Sequence, residues 1–327
     1  MDQKRIIDEF KELVSIEVHS RDERAIADVL KEKLTALGLT VTEDKAGEVL
    51  GGNTGNLYAQ LPGSTDGEPI LFSAHMDRVG NHGHIVPLVK EAEGKIVSDG
   101  TSILAGDDIG GVAAILAMLR EVKEKQIPHG PIEVAFSVCE ETGVEGSRQY
   151  DFSKFRSKSA FVYDASGKAG TIVLAAPSKG RVTIRVHGVT AHAGNEPEKG
   201  LNALKVAADL IMQLPDGRLS PVSTANFSII EAGSATNVVC DLVTITGEQR
   251  SRDAKEYQQI SADIQAAADR ISEKYHTKIE VELHTLYHAF KLEETARPCV
   301  LAKEAAEAAG AAPSFKEGGG GMGANHF

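Results

Sequence analysis

The sequence predicts an α/β protein with a second, smaller α+β domain inserted into it. Through the first half, strand-like apolar runs at Asn56–Leu61, Ile70–Ala74, Ile132–Val138 and Ala160–Tyr163 alternate with helical patterning, as expected for a largely buried sheet. From about Ser178 the order changes to strand, helix, strand, strand, helix, strand, the split βαβ arrangement of ferredoxin-like domains. At 327 residues the chain also exceeds the size at which one core normally keeps growing, so two domains are expected.

Each element has a local justification. Ile6, Ile7, Phe10, Leu13 and Val14 share one helical face, and a second helix runs from about Arg21 to Leu37, where Gly38 ends it. Ser20 and Glu23 have the spacing of a capping box for that helix. A third helix spans about Ile109 to Lys125, between the second and third strand-like runs. The smaller domain is read as strand Arg181–His187, helix Leu201–Leu214, strands Thr224–Ile230 and Leu242–Glu248, helix Asp253–Tyr275 and strand Lys278–Leu286. A helical stretch, Glu293–Ala309, and the glycine run Gly318–Gly321 then return the chain to the first domain. The expected division is 1–177 with 292–327, and 178–291 between them.

Composition narrows the function. A formal charge of −12 without any Lys/Arg-dense stretch argues against nucleic acid as a partner. No apolar run approaches the length of a membrane span or a signal core, so no membrane partner is expected. Cys139, Cys240 and Cys299 are widely spaced, lack a CxxC pattern and read as thiols in a reducing compartment, which predicts a cytoplasmic location.

The informative residues are acidic and sit past the ends of apolar runs: Asp107-Asp108 in LAGDDIGG and Glu140-Glu141 in VAFSVCEETG, downstream of His75 and Asp77 in LFSAHMD, with Asp164 after Ala160–Tyr163. Charge this dense beside apolar strands carries a large desolvation cost unless a cation offsets it. Taken singly, each has a simpler reading: a solvated histidine, acids favouring a helix N-terminus, a solvated loop pair. Jointly they outline a hydrolytic metal site, because His75, Asp107, Glu141 and Asp164 supply ligands, Glu140 a general base, and Asp77 a group to orient the His75 ring. Other patterns carry less. His82 and His84 form an HxH in a glycine-flanked loop, Cys139 reads as a small buried residue, and the GxGxxG match at Gly318–Gly323 lacks a following helix and reads as a turn. HExxH and GxSxG are absent, which disfavours a single-zinc helix protease and a serine hydrolase.

LFSAHMD, SDGTSILAGDDIGG, SVCEETGVEGS, VYDASG and VTAHAGNEPEKGLNAL together resemble peptidase T and its relatives, the co-catalytic zinc exopeptidases that include carboxypeptidase G-type enzymes and aminoacylases. The resemblance implies a mixed-sheet catalytic domain with an inserted lid and dimerisation domain, and a homodimer formed through that lid. It also implies a divalent metal, zinc or alternatively cobalt or manganese, at two sites. Asp107 would bridge, His75 and Asp164 complete one site, Glu141 belong to the other, Glu140 act as base and acid, and Asp77 orient His75. It further implies that His192 in TAHAG polarises the scissile carbonyl, and that Asn237 and Arg250 hold the substrate. For Arg250 a surface ion pair with Glu248 or Asp253 is the competing reading.

The chain departs from the family in several places. The glycine run reads GGGGMGANHF, where relatives continue through a strand to a distal histidine of the second site, so the resemblance implies a C-terminally incomplete catalytic domain with one complete metal site. Arg78 and Ile109 replace residues usual in relatives; either could alter the charge of the crevice, and neither touches a proposed ligand. The resulting expectation is a metal-dependent exopeptidase for short peptides, foremost a tripeptide aminopeptidase. The alternatives are a related carboxypeptidase or N-acyl amino acid deacylase, and a catalytically impaired homologue or fragment that binds peptide.

Overall fold

The computed structural model describes residues 2–80 and 83–327, and within it the chain divides into two compact units. The first runs up to Val173 and takes in Glu293–Lys316 and Met322–Phe327; the second comprises Leu174–Leu292 and Glu317–Gly321.

In the first unit, α1 (Gln3–Val14) is N-capped by Asp2, whose carboxylate accepts from the Lys4 and Arg5 amides, and buries Phe10, Leu13 and Val14. Helix α2 (Arg24–Ala36) buries Ile26, Ala27, Leu30 and Leu34. Strands β1 (Thr40–Glu43) and β2 (Leu57–Leu61), separated by the short α3 (Ala46–Leu50), are followed by β3 (Ile70–His75) and then by a small hairpin of β4 (Pro87–Lys90) and β5 (Lys95–Ser98). Helix α4 (Gly106–Glu124) packs on β3 and precedes β6 (Ile132–Ser137) and β7 (Ala160–Val162). The sheet order is β1-β2-β6-β3-β7. Its first pairings are antiparallel, whereas β6, β3 and β7 run parallel, so these three strands end at the same edge. Every residue of β6 is buried, the pattern of a strand covered on both faces.

Strand β8 (Thr171–Ala176), which the sequence reading passed over, contains the boundary between the units. The second unit consists mainly of β9 (Ser178–His187), α5 (Ala203–Ile211), β10 (Gly217–Ser220), β11 (Ser223–Ala232), β12 (Leu242–Ser251), α6 (Ala254–Tyr275) and β13 (Ile279–Tyr287). Its antiparallel sheet has the order β10-β11-β12-β9-β13, which is the ferredoxin-like order with one added edge strand. Strand β10 is short and mostly exposed, so it carries no apolar alternation to announce it. Val182, Ile184 and Val186 of β9 pack with Val206 and Leu210 of α5 and Ile260, Ile264 and Ile271 of α6 in a core separate from that of the first unit.

Strand β14 (Phe290–Lys291) pairs with β8, α7 (Arg297–Ala308) follows, and β15 (Ser314–Glu317) joins the same three-stranded sheet. The second unit therefore starts at Leu174 and ends at Leu292, where the Leu292 amide donates to the Leu174 carbonyl. It also takes in Glu317–Gly321, which the sequence reading assigned to the other domain. The Gly318 amide donates to Ala175, and the Gly318 carbonyl accepts from Arg252.

Candidate metal centre

His75 is the last residue of β3, Glu140 and Glu141 lie just beyond β6, and Asp164 just beyond β7. Three parallel strands thus deliver their terminal polar residues to one crevice, where open α/β sheets place their ligands. Asp107 arrives from the start of α4, where Asp107 and Asp108 depart from helical dihedrals, so the regular helix begins at Ile109. One ligand atom each from His75, Asp107 and Glu141 lie within 4.8 Å of one another, and the same holds for His75, Glu140 and Asp164. The two groups share His75 and divide the adjacent glutamates between them.

The backbone explains how neighbouring glutamates point apart. Cys139 adopts a left-handed conformation with φ of 51°, and the Glu140 carbonyl accepts from Gly143 and Val144, which folds the chain back after β6. Gly146 closes this turn against Val138 so tightly that a Cβ there would collide with the Val138 carbonyl. Asp77, fully buried, accepts the Glu140 amide on Oδ1 at 2.9 Å, and on Oδ2 the Glu141 amide at 3.1 Å and the Ser20 hydroxyl at 2.6 Å. His75 Nδ1 lies 2.9 Å from the Asp77 carbonyl oxygen and 3.4 Å from its carboxylate, so both groups orient the ring and the carbonyl is the nearer. His75 Nε2 faces Asp107 Oδ1 at 3.0 Å.

Asp108, to which the sequence assigned no role, is buried and accepts the His75 amide on Oδ2 at 3.1 Å. It ties the end of β3 to the start of α4. Gly111, on the following turn, admits Asp108 and the Tyr163 backbone at distances a side chain would forbid.

Electrostatics show how crowded the acids are. Burial, then the Asp164 charge, raises the Glu140 carboxyl from 4.5 to about 8, outweighing the opposing effect of His75. Burial likewise raises Asp164 from 3.8 to about 7, with Asp107 and Glu141 adding to it. Glu141 is raised mainly by burial, and Asp108 strongly so. Burial disfavours a charged His75, but its contacts with Asp107 and Asp77 prevail and raise it; the same His75 contact, against burial, lowers Asp77. Asp164 Oδ2 is buried without a hydrogen-bond partner. An orphaned carboxylate oxygen amid mutually raised acids, with an imidazole at the shared corner, fits a divalent cation in both charge and donor type.

Several sequence expectations need correction. Ser20 and Glu23 do not form a capping box: Glu23 is the N-cap of α2 but makes no side-chain cap bond, and the Arg24 amide is taken by Asn53 Oδ1. Arg78 does not charge the crevice; it is buried and donates to the Val14 and Val18 carbonyls at the end of α1, while Ile109 lies in the core. His326 bonds to Ser147 through Nδ1 at 2.8 Å and belongs to neither donor group. His82 lies outside the described residues, and His84 is exposed and joins neither group. Cys139 is buried, and burial pushes its thiol up to about 12. Ser20, Glu23 and Asp108 are the supporting residues that the sequence did not mark as such, because their partners are 33 to 116 residues away.

The remaining expected residues lie in the second unit. His192 and Asn237 are brought together on neighbouring loops, where His192 bridges to Val238 and the Asn237 carbonyl accepts from Ala193. His192 Nδ1 accepts from the Gly194 and Asn195 amides, which fixes the ring on its loop. Arg250 takes the competing arrangement: its Nε and Nη2 donate to the two oxygens of Glu248 at 2.6 and 3.2 Å.

Residues 177–276 match the model of a peptidase dimerisation domain, and residues 56–195 that of peptidase family M28. The chain is 36% identical over 325 residues to the uncharacterized protein YqjE of Bacillus subtilis, covering 99% of this chain and 87% of that one. Among solved structures, the aminopeptidase PepT of Bacillus cereus aligns with a TM-score of 0.88 and 39% identity, over 100% of this chain and 87% of its own. A tripeptidase of Staphylococcus aureus aligns with a TM-score of 0.92 and 32% identity, with the same coverage of 100% and 87%.

Proposed function

Because the chain belongs to the peptidase T-like zinc exopeptidases, hydrolases acting on peptide bonds, we propose that it is a tripeptide aminopeptidase with Glu140 as general base. One observation carries the proposal: adjacent glutamates beyond β6 fall into two donor groups that share His75. Glu141 falls with His75 and Asp107, and Glu140 with His75 and Asp164.

His75, Asp107 and Asp164 would hold one cation, zinc by preference, and Asp107 with Glu141 a second. A divalent cation in this donor set supplies Lewis acidity, which makes water a better proton donor and a carbonyl a better electrophile. The chain's own residues do the rest. Glu140 takes the proton of the attacking water and passes it to the leaving amine. A partly buried carboxyl beside the proposed ligands is suited to carry a proton in both directions. Asp77 fixes the direction of Glu140 and Glu141 through their amides and that of His75 through its ring. We assign His192 as donor to the developing oxyanion, and Asn237 and Arg250 to the substrate's polar groups. A substrate carboxylate at Arg250 would have to compete with Glu248. We also infer a homodimer through the dimerisation domain, a cytoplasmic enzyme, and the division into catalytic and lid domains; among the described residues no helix is long and apolar enough to cross a membrane.

The donor count predicts unequal metal sites. Zinc analysis after dialysis is expected to leave one ion per chain, since with Glu140 kept as base the assignment gives the first site His75, Asp107 and Asp164 and the second only Asp107 and Glu141. Two retained ions would contradict this. The activity itself is tested by a panel of tripeptides, dipeptides and N-acyl amino acids offered to metal-loaded protein, with tripeptides expected as the best substrates and release from the amino end. Hydrolysis confined to N-acyl amino acids or to the carboxyl end would replace the reading with a deacylase or a carboxypeptidase.

A further inference from the structure

The loop between α1 and α2 has the spacing of a helix cap, yet its side chains turn away from the helix. Glu23 is completely buried, and its Oε1 accepts the Cys139 amide at 2.9 Å. Its Oε2 has no hydrogen-bond partner. The Ser20 hydroxyl donates to Asp77 Oδ2 at 2.6 Å. Arg21, between them, is itself left-handed with φ of 77°, and its guanidinium reaches Glu145 at 3.4 Å. A short bridge from the Asp22 amide to the His19 carbonyl at 2.9 Å holds the loop in this form.

A buried carboxyl with one unpaired oxygen is a poor way to stabilise a fold; an apolar side chain of similar volume would serve at least as well. What the carboxyl does provide is a fixed acceptor for the left-handed residue from which the Glu140-Glu141 corner springs: Oε1 accepts the Cys139 amide at 2.9 Å and its thiol at 3.6 Å. Asp77 holds the next two amides, and Ser20 holds Asp77. Three successive backbone N–H groups, 139 to 141, are therefore clamped by two carboxylates, and the loop 19–23 bears on both.

We propose that Glu23 and Ser20 are positioning residues for this reaction: Glu23 sets the dihedrals of Cys139 and so the aim of Glu140 and Glu141, and Ser20 fixes the carboxylate of Asp77. The proposal rests on the reading of Glu140 as base and Glu141 as ligand. Glu23 is fully buried and both residues act through Cys139 and Asp77, so their loss acts on turnover and on metal affinity and leaves substrate affinity nearly unchanged.

The test compares parent, Glu23→Ala, Glu23→Gln and Ser20→Ala as purified full-length chains. Each is assayed for tripeptide hydrolysis with added zinc, and separately titrated with zinc against a chelating dye. For Glu23→Ala the expectation is a kcat lower by ~10- to 100-fold, KM within about 3-fold, and zinc binding weaker by about 10-fold, the range seen when groups behind metal ligands are removed. Glu23→Gln keeps the acceptor oxygen and is expected to recover kcat and zinc affinity to within about 3-fold of parent. Ser20→Ala is expected to lose about 10-fold in kcat with unchanged KM. A folded Glu23→Ala with parental kcat and zinc affinity overturns the proposal, as does Glu23→Gln that is as impaired as Glu23→Ala. If Glu23→Ala does not fold, Ser20→Ala decides, and parental turnover in it refutes the clamp. Should the parent hydrolyse no peptide, the proposed activity fails, while the zinc titrations still decide the positioning role.

Discussion

Stripping the metal should make the protein's stability fall as pH rises through the neutral range. Glu140 is raised from 4.5 to about 8 and Asp164 from 3.8 to about 7, so between these limits the folded state binds more protons than the unfolded chain. Stability from such groups is complete below the unfolded pKa and is lost as pH climbs through the folded one. His75, also raised, acts in the same sense, whereas Asp77 is lowered and its contribution is lost only in acid. Each pKa unit is worth about 1.4 kcal/mol, and because Glu140 is raised partly by the Asp164 charge, the two do not add and one of them sets the scale. With water reaching a crevice that is not fully closed, about 2 kcal/mol between about pH 5.5 and pH 8 is the reasonable magnitude. For a unit of this size that corresponds to about 4–8 °C in Tm. The assay is thermal unfolding of chelator-treated protein at the two pH values, beside zinc-loaded protein and the double variant E140Q/D164N. The stripped parent is expected to show the fall, and the double variant to have lost most of it. A stripped parent whose Tm is flat or rises with pH, or a double variant with the full parental slope, would refute the argument.

Two further outcomes follow from named contacts. Arg78→Met preserves the aliphatic stem but leaves the Val14 and Val18 carbonyls without their donor, and should cost about 2–4 kcal/mol in urea unfolding; a change below about 0.5 kcal/mol would contradict it. Cys139, buried and raised to about 12, should resist iodoacetamide in native protein at about pH 8 and react only after unfolding, as read by mass spectrometry of the peptide; rapid native labelling would contradict its burial.

Most residues of the two donor groups were legible in the sequence because they stand at the end of runs whose period declares a buried strand. His75, Glu140, Glu141 and Asp164 needed only the assumption that parallel strands end together. What holds them was not legible. Ser20 and Glu23 have a spacing that a helix cap explains equally well, and only the three-dimensional approach of residue 139, 116 positions away from Glu23, decides between the two uses. Arg78 adjoins Asp77 in the chain, yet it points to the end of α1 instead of the crevice. Strand β10 was missed because an exposed strand on the edge of a sheet has no apolar face to reveal it, and β8 because its boundary falls inside a run that continues into β9. Arg250 shows the converse: the same side chain could serve a substrate or Glu248, and the structure pairs it with Glu248.

The most direct measurement is tripeptide turnover by zinc-loaded parent and by Glu140→Gln, with zinc content determined on both. The account predicts that the variant keeps its tightly held ion, because the ligands proposed for it, His75, Asp107 and Asp164, are untouched, and loses ~10²- to 10⁴-fold in kcat, the usual range for a general base. Turnover that survives the substitution with the metal still bound would contradict the role given to Glu140.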